Sequence, residues 1–312
     1  MPCRSPNFSN RSLPVTAAPS DFSEYLAAMA AKVDRALDDF LPPLKSAPQT
    51  IHKAMRYAVF AGGKRLRPIL CLAAAEACGG DAMKAMPAAC AVEILHTYSL
   101  VHDDLPCMDD DDLRRGRPTC HKVFGEGMAV LCGDALLTES FFILAQSAAT
   151  PRYKSDAFIR ELAFTAGSRH LIGGQVMDLE GEGKDLTKAQ LMSIHKAKTA
   201  ALLSSSLRLG AMSVNATPAK FQALGNFGQA LGLAFQIIDD ILDVTQSTEV
   251  LGKTAGKDAN VNKATYPSIV GLEKSRKEAA ALTKKAMDAL TVFGTKAKRL
   301  HQIADFLLVR SY

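Results

Sequence analysis

Residues 235–243 read Phe-Gln-Ile-Ile-Asp-Asp-Ile-Leu-Asp, near the end of a helical pattern that the three- and four-residue spacing of apolar side chains predicts over 217–245. A helix apolar on most sides belongs in a core, yet this one carries Asp239, Asp240 and Asp243. At about 100° per residue the three acids fall within roughly a 100° arc and share one face. Carboxylates this close raise one another's pKa unless a cation neutralises them. Apolar residues flank them on both sides, which argues against a solvated cluster and for metal ligation.

The same combination occurs earlier. A helix predicted over 83–104 runs into His102-Asp103-Asp104-Leu105-Pro106-Cys107-Met108-Asp109-Asp110-Asp111-Asp112-Leu113-Arg114-Arg115-Gly116. On an unbroken helix Asp109 stands about 240° from Asp103. Pro106 disfavours helical geometry at Leu105, so the chain is expected to break there and fold Asp109 back toward Asp103. A calcium loop is excluded because no Gly stands sixth and no Glu twelfth. Two oxygen-only patches, without His or Cys, suit Mg²⁺ and not zinc or copper. Mg²⁺ held by few carboxylates keeps positions open for phosphates, so the expected ligand is a phosphate ester.

Gly62-Gly63-Lys64-Arg65-Leu66-Arg67-Pro68 places three cations in four residues ahead of a helix. Arg forks grip phosphate oxygens bidentately and Lys acts as a point charge. Arg114 and Arg115 add a second basic pair, and Lys198, Lys253, Lys257 and Lys263 add single charges around the second patch. The sets imply two anion subsites, one bridged by metal between the Asp patches and one held by Lys64, Arg67 and Arg115. Glu93-x-x-His96 resembles half of a di-iron motif, but the second copy is missing, so His96 is read as a phosphate donor or a core histidine.

The rest of the chain is helical by pattern: 21–40, 50–61, 67–78, 123–147, 154–180, 187–213, 262–271, 274–293 and 295–309. No long linker interrupts it, so residues 21–312 are expected to form one all-α bundle, with 1–20 a loose segment or presequence. A net charge of +5 over 312 residues is too dilute for a nucleic-acid binder. No run of 18 uncharged apolar residues exists, so stable membrane insertion is not expected. Seven cysteines without a Cys-x-x-Cys pair favour a reducing, cytoplasmic setting, with a plastid or other organelle the alternative if residues 1–20 are a presequence.

Together these motifs resemble the short-chain trans-prenyl diphosphate synthases, the farnesyl and geranylgeranyl diphosphate synthase family, over about residues 21–312. The resemblance rests on Gly62–Pro68, Asp103–Gly116, Lys198-Thr199, Phe235-Gln236, Asp239–Asp243 and Gly252–Asp258 in the family's order. It implies an isoprenoid synthase fold, usually a homodimer, condensing dimethylallyl or geranyl diphosphate with isopentenyl diphosphate using Mg²⁺. Carried over by motif, Asp103, Asp109 and Asp239 ligate Mg²⁺ with Asp104, Asp240 and Asp243 in support. Arg114, Lys198 and Lys253 contact the allylic diphosphate. Lys64, Arg67, His96 and Arg115 contact isopentenyl diphosphate, and Thr199 and Gln236 line the reacting centre.

A class I terpene cyclase, the nearest rival, has no need of the Lys64/Arg67 subsite, and a non-catalytic subunit would be expected to have lost an Asp patch. The growing chain should run along the helix that carries Asp103, which makes Tyr98 and Ser99, roughly 7.5 and 6 Å down its axis, the cavity floor. The ring of Tyr98 points to farnesyl diphosphate as the product, with geranylgeranyl diphosphate the alternative.

Overall fold

The computed structural model describes residues 21–245 and 264–308, and the helical period of the sequence is realised through nearly all of them. The helices are α1 (Asp21–Phe40), α2 (Gln49–Val59), α3 (Leu66–Ala77), α4 (Met86–Asp103), α5 (Cys120–Phe124), α6 (Glu126–Leu144), α7 (Ser155–Ala166) and α8 (Leu171–Gly181). They continue with α9 (Lys188–His195), α10 (Ala201–Ser213), α11 (Pro218–Thr245), α12 (Tyr266–Val270), α13 (Leu272–Ala289) and α14 (Lys298–Leu308). The expected presequence and Lys253 lie outside the described residues, as do Lys257, Lys263 and the motif at 252–258.

Three expectations need correction. The helix predicted over 154–180 is two, because the chain turns extended at Gly167 before α8 begins. The helix predicted over 123–147 starts at Glu126, behind Gly125 at φ +85°. Residues 113–118, predicted as no regular element, form a short hairpin in which Arg114 pairs with Arg117 across Arg115-Gly116, both at positive φ.

Ala-rich α4 lies at the centre, with eleven buried residues from Ala88 to Val101, and packs on α6 and α3. Helix α10 is buried along almost its whole length between α3 and α11. Small residues permit that closeness. A Cβ added at Gly228 would stand 2.5 Å from the Ser204 Cα, and one at Gly232 would stand 2.5 Å from the Ala200 Cα. These two glycines are one turn apart on α11, so the backbones touch along a seam that ends two turns before Asp239.

Across this seam, Lys196–Ala200 form a π turn between α9 and α10. Such turns are rare and concentrate at functional sites, because the extra residue re-aims the side chains around it. Here those side chains are Lys198 and Thr199. The Gly232→Ala variant should lose about 1–3 kcal/mol through overpacking against backbone, read as a lower urea midpoint at unchanged slope. Gly127→Ala, whose Cβ would meet open space, should leave the midpoint unchanged or raise it.

Candidate active site

The first Asp patch is built by the helix break. Helix α4 ends at Asp103, and the Asp109 N–H returns to donate to the Asp103 carbonyl at 2.8 Å, while Asp110 turns at φ +47° and donates to Leu105 O. The fold-back expected from Pro106 is therefore present. Burial pushes the Asp103 carboxyl up to about 6; Lys198 opposes that shift and Asp109 adds to it. Asp104 goes elsewhere. Its buried carboxylate accepts from Arg114 Nε at 2.7 and 2.9 Å, and Arg114 also stands 3.6 Å from Asp111. Adjacent helical residues point about 100° apart, and of the two only Asp103 faces the cavity. Asp104 and Arg114, expected at metal and at diphosphate, pair with each other here across the loop.

The basic stretch divides in the same manner. Arg65, in the left-handed region at φ +49°, is buried and spoken for by Asp34 (2.7 Å), Glu93 (2.9 Å) and the Val59 carbonyl (2.8 Å). Because Glu93 serves Arg65, the half di-iron motif has no ligand to offer. Lys64 is exposed, with Nζ 5.1 Å from the Phe306 ring of α14. Arg67 and Arg115 are different. The Arg67 Nε is enclosed and finds no hydrogen-bond partner among the described residues. Burial, opposed by Glu93 and helped by Arg115, pulls the Arg67 guanidinium down to about 10. Arg115 donates to the Gly62 carbonyl, and a Cβ on Gly63 would collide with its guanidinium. Burial followed by Arg67, Arg115 and Arg114 holds His96 well below its ordinary pKa and so neutral. This is a cluster of cations with too few carboxylates, which is what an anion site requires.

Lys198 projects from the π turn to Asp178 on α8, Nζ to carboxylate 2.6 Å. Gly174, one turn before Asp178, lets α8 approach, since a Cβ there would lie 2.5 Å from the Lys198 backbone nitrogen. Asp178 is a site residue that sequence reasoning missed; the signal was Gly173-Gly174-Gln175-x-x-Asp178, which puts Gln175 and Asp178 on one face. On α11, the buried Asp240 accepts the Tyr266 N–H at 2.7 Å and stands 3.7 Å from His195 Nε2. Asp243 is buried and Asp239 partly so, on a helix that packs against the π turn.

A cavity of about 560 Å³ lies among α4, α6, α8 and the π turn. Arg67, His96, Asp103, Lys198 and Thr199 line its polar portion. Leu137, Leu171, Ile172, Val176, Leu179 and Met108 make an apolar wall, with Tyr98 and Ser99 contributed by α4. Gln236, Lys64, Arg115 and the three α11 carboxylates are not in this lining. A charged head and an extended apolar tail would thus be accommodated in one space.

The sequence model of the polyprenyl synthetase family matches residues 48–303. The large subunit 1 of a heterodimeric geranylgeranyl pyrophosphate synthase, chloroplastic, from Arabidopsis thaliana is 49% identical over 297 residues, 93% of this chain and 80% of that protein. A chloroplastic geranylgeranyl pyrophosphate synthase from Capsicum annuum is 48% identical, covering 95% of this chain and 80% of its own. A geranyltransferase structure from Helicobacter pylori, complexed with magnesium and isoprenyl diphosphate, superposes with a TM-score of 0.78 at 33% identity, covering 94% of this chain and 98% of the other. With matches of this extent on sequence and on fold, the chain belongs to the polyprenyl synthetase family of all-α trans-prenyltransferases.

Proposed function

We propose that the protein is a Mg²⁺-dependent geranylgeranyl diphosphate synthase, adding isopentenyl diphosphate to allylic diphosphates. The cavity carries this reading: cations and Asp103 at one part, a largely apolar wall at the other. The names of the curated relatives favour the geranylgeranyl product over the farnesyl product expected from Tyr98, and their chloroplastic location favours the plastid over the cytoplasm.

The carboxylates fit a hard cation. Asp103 is half-buried beside Asp109 with its pKa raised, and a divalent ion relieves both desolvation and repulsion. Asp103, Asp109 and Asp239 would hold Mg²⁺, with Asp243 in support and Asp240 fixed by Tyr266; when bound, the metal supplies charge stabilisation to the departing diphosphate. Lys198 would leave Asp178 for the allylic diphosphate, and Lys253 would join it. Arg67, Arg115 and neutral His96 would grip the isopentenyl diphosphate, with Lys64 at its mouth. Ionisation of the allylic C–O bond leaves a carbocation that water would quench, so the apolar wall excludes water. The Thr199 hydroxyl and Gln236 carbonyl would stabilise the cation as dipoles, the isopentenyl double bond, held alongside, attacks it, and the new cation loses a proton to the departed diphosphate to form the product double bond.

Assembly as a homodimer is supported by the outer face of α6, where Val130, Leu131 and Phe142 are 41%, 55% and 65% exposed. By length and composition α6 is apolar enough to cross a membrane, but it carries Asp134 and Glu139 and packs on α4 through Cys132, Gly133, Leu136 and Ile143. A core helix with one face left for a second copy accounts for all of these features, and sedimentation velocity distinguishes that dimer from a monomer.

Incubation with Mg²⁺, isopentenyl diphosphate and each allylic primer should give geranylgeranyl diphosphate as the main product; absence of any elongated product would overturn the assignment. Arg67→Ala should raise KM for isopentenyl diphosphate about ten- to hundredfold, the worth of a charged hydrogen bond to phosphate, and KM for the allylic substrate far less.

The raised pKa of Asp103 sets a sign for metal binding. Its contribution to stability is present below about pH 3.8 and lost as pH rises through about 6. Mg²⁺ should therefore raise Tm more at about pH 7.5 than at about pH 5.5. In Asp103→Ala, scanning calorimetry should show most of that increment gone, turnover abolished and helical circular dichroism unchanged.

A further inference from the structure

The ring of Tyr98 packs against a second ring on α4. His102, one turn further along α4, meets Tyr98 edge-to-face, with centroids 5.7 Å apart and planes at 87°. Both rings line the cavity. The far edge of the imidazole is anchored on α6: His102 Nε2 stands 2.9 Å from the Val130 carbonyl, and a carbonyl only accepts, so Nε2 carries the proton and donates. The ring is seated over Gly133. A Cβ built there would lie 2.0 Å from Nε2, 2.2 Å from Cδ2 and 2.8 Å from Cε1 of His102. Gly133 is buried and helical, so glycine is required there for space and not for a special backbone angle. Leu137, one turn beyond Gly133 on the same face of α6, is part of the cavity wall.

We infer that His102 is a specificity-positioning residue, a wedge seated on Gly133 between α4 and α6 that sets where the Tyr98 ring stands and hence the depth of the chain cavity. The inference rests on the reading of Tyr98 as the floor. Three linked contacts, Gly133 to imidazole, imidazole to Val130 carbonyl and imidazole to Tyr98 ring, leave the phenol ring little room to swing toward α6. Removing the imidazole opens a gap into which Tyr98 can turn, which deepens the cavity. Adding a methyl at Gly133 has the opposite effect, because it drives the imidazole off its seat and against Tyr98. Residues in mutual contact couple, whereas independent ones add, so the pair His102 and Gly133 has a distinct signature.

The test compares product chain length, at fixed Mg²⁺, isopentenyl diphosphate and primer, for Tyr98→Ala, His102→Ala, Gly133→Ala and the double variant His102→Ala with Gly133→Ala, with Tm measured for each. Tyr98→Ala and His102→Ala should each lengthen the main product by one five-carbon unit. Gly133→Ala should shorten it by one unit. The double variant should match His102→Ala alone, since the added methyl then occupies space the ring has vacated.

If Tyr98→Ala lengthens the product and His102→Ala does not, the wedge is wrong and the floor stands. If Tyr98→Ala changes nothing, the floor itself is wrong and the wedge falls with it. Additive effects of His102 and Gly133 also overturn the coupling. Should Gly133→Ala fail to fold, His102→Phe decides: it keeps a ring against Tyr98 and should retain the parent product, whereas the longer product of His102→Ala would refute the wedge. A merely structural role would lower Tm in these variants without moving the product distribution.

Discussion

Cationic charge enclosed without an equal number of acids is the constraint on which the rest of this molecule depends. Arg67 and a neutral His96 line the cavity, Arg115 stands close to both outside its lining, and the carboxylate that acts on Arg67, Glu93, is already bound to Arg65. Such a cluster opposes folding by mutual repulsion and by loss of hydration, so the surrounding helices must hold it by other means. They do so with an Ala- and Leu-rich bundle whose core runs continuously from α1 to α14. Arg65 is the structural counterpart of this cluster. By engaging Asp34, Glu93 and the Val59 carbonyl through each of its three nitrogens it fixes the segment that leads into Arg67.

The carboxylate patches obey the same logic with the sign reversed. Asp103 is raised in pKa by burial and by Asp109, and Asp240 is oriented by a backbone N–H. Lys198, the cation between the two patches in sequence, rests on Asp178. Each charged group either has a partner that fixes its direction or stands where substrate or metal would complete it. Preorganisation of this kind is what makes electrostatic stabilisation of a departing diphosphate effective, since no dipole has to turn during the reaction.

The helices were legible in the sequence because their apolar period is long and regular: α1 and α11 begin and end within a residue of the pattern read from them. The break at Pro106 was legible because a proline acts through its own local sterics. What was not legible depended on contacts between distant segments. The π turn at Lys196–Ala200 arises where α8 and α11 press on the chain through Gly174 and Gly232, and no local propensity announces it. The pairing of Asp104 with Arg114 was hidden for a related reason. Motif spacing counts residues, whereas the direction of a side chain depends on where its helix stops.

Helix α4 carries both ends of the site on one rigid element. Its last residue, Asp103, belongs to the charged end, and Tyr98, five residues earlier, belongs to the apolar end. A helix rises about 1.5 Å per residue, so the separation between head and floor is set by the backbone and not by a loop. On the proposed reading of Tyr98 as the floor, changes of side chain there would alter the length of the tail accepted while Asp103 stays in register. His102 lies between the two ends and is the only residue of the last turn of α4 tied by a hydrogen bond to α6 among the described residues. A helix-to-helix bond at that point keeps the register fixed where both ends of the substrate depend on it.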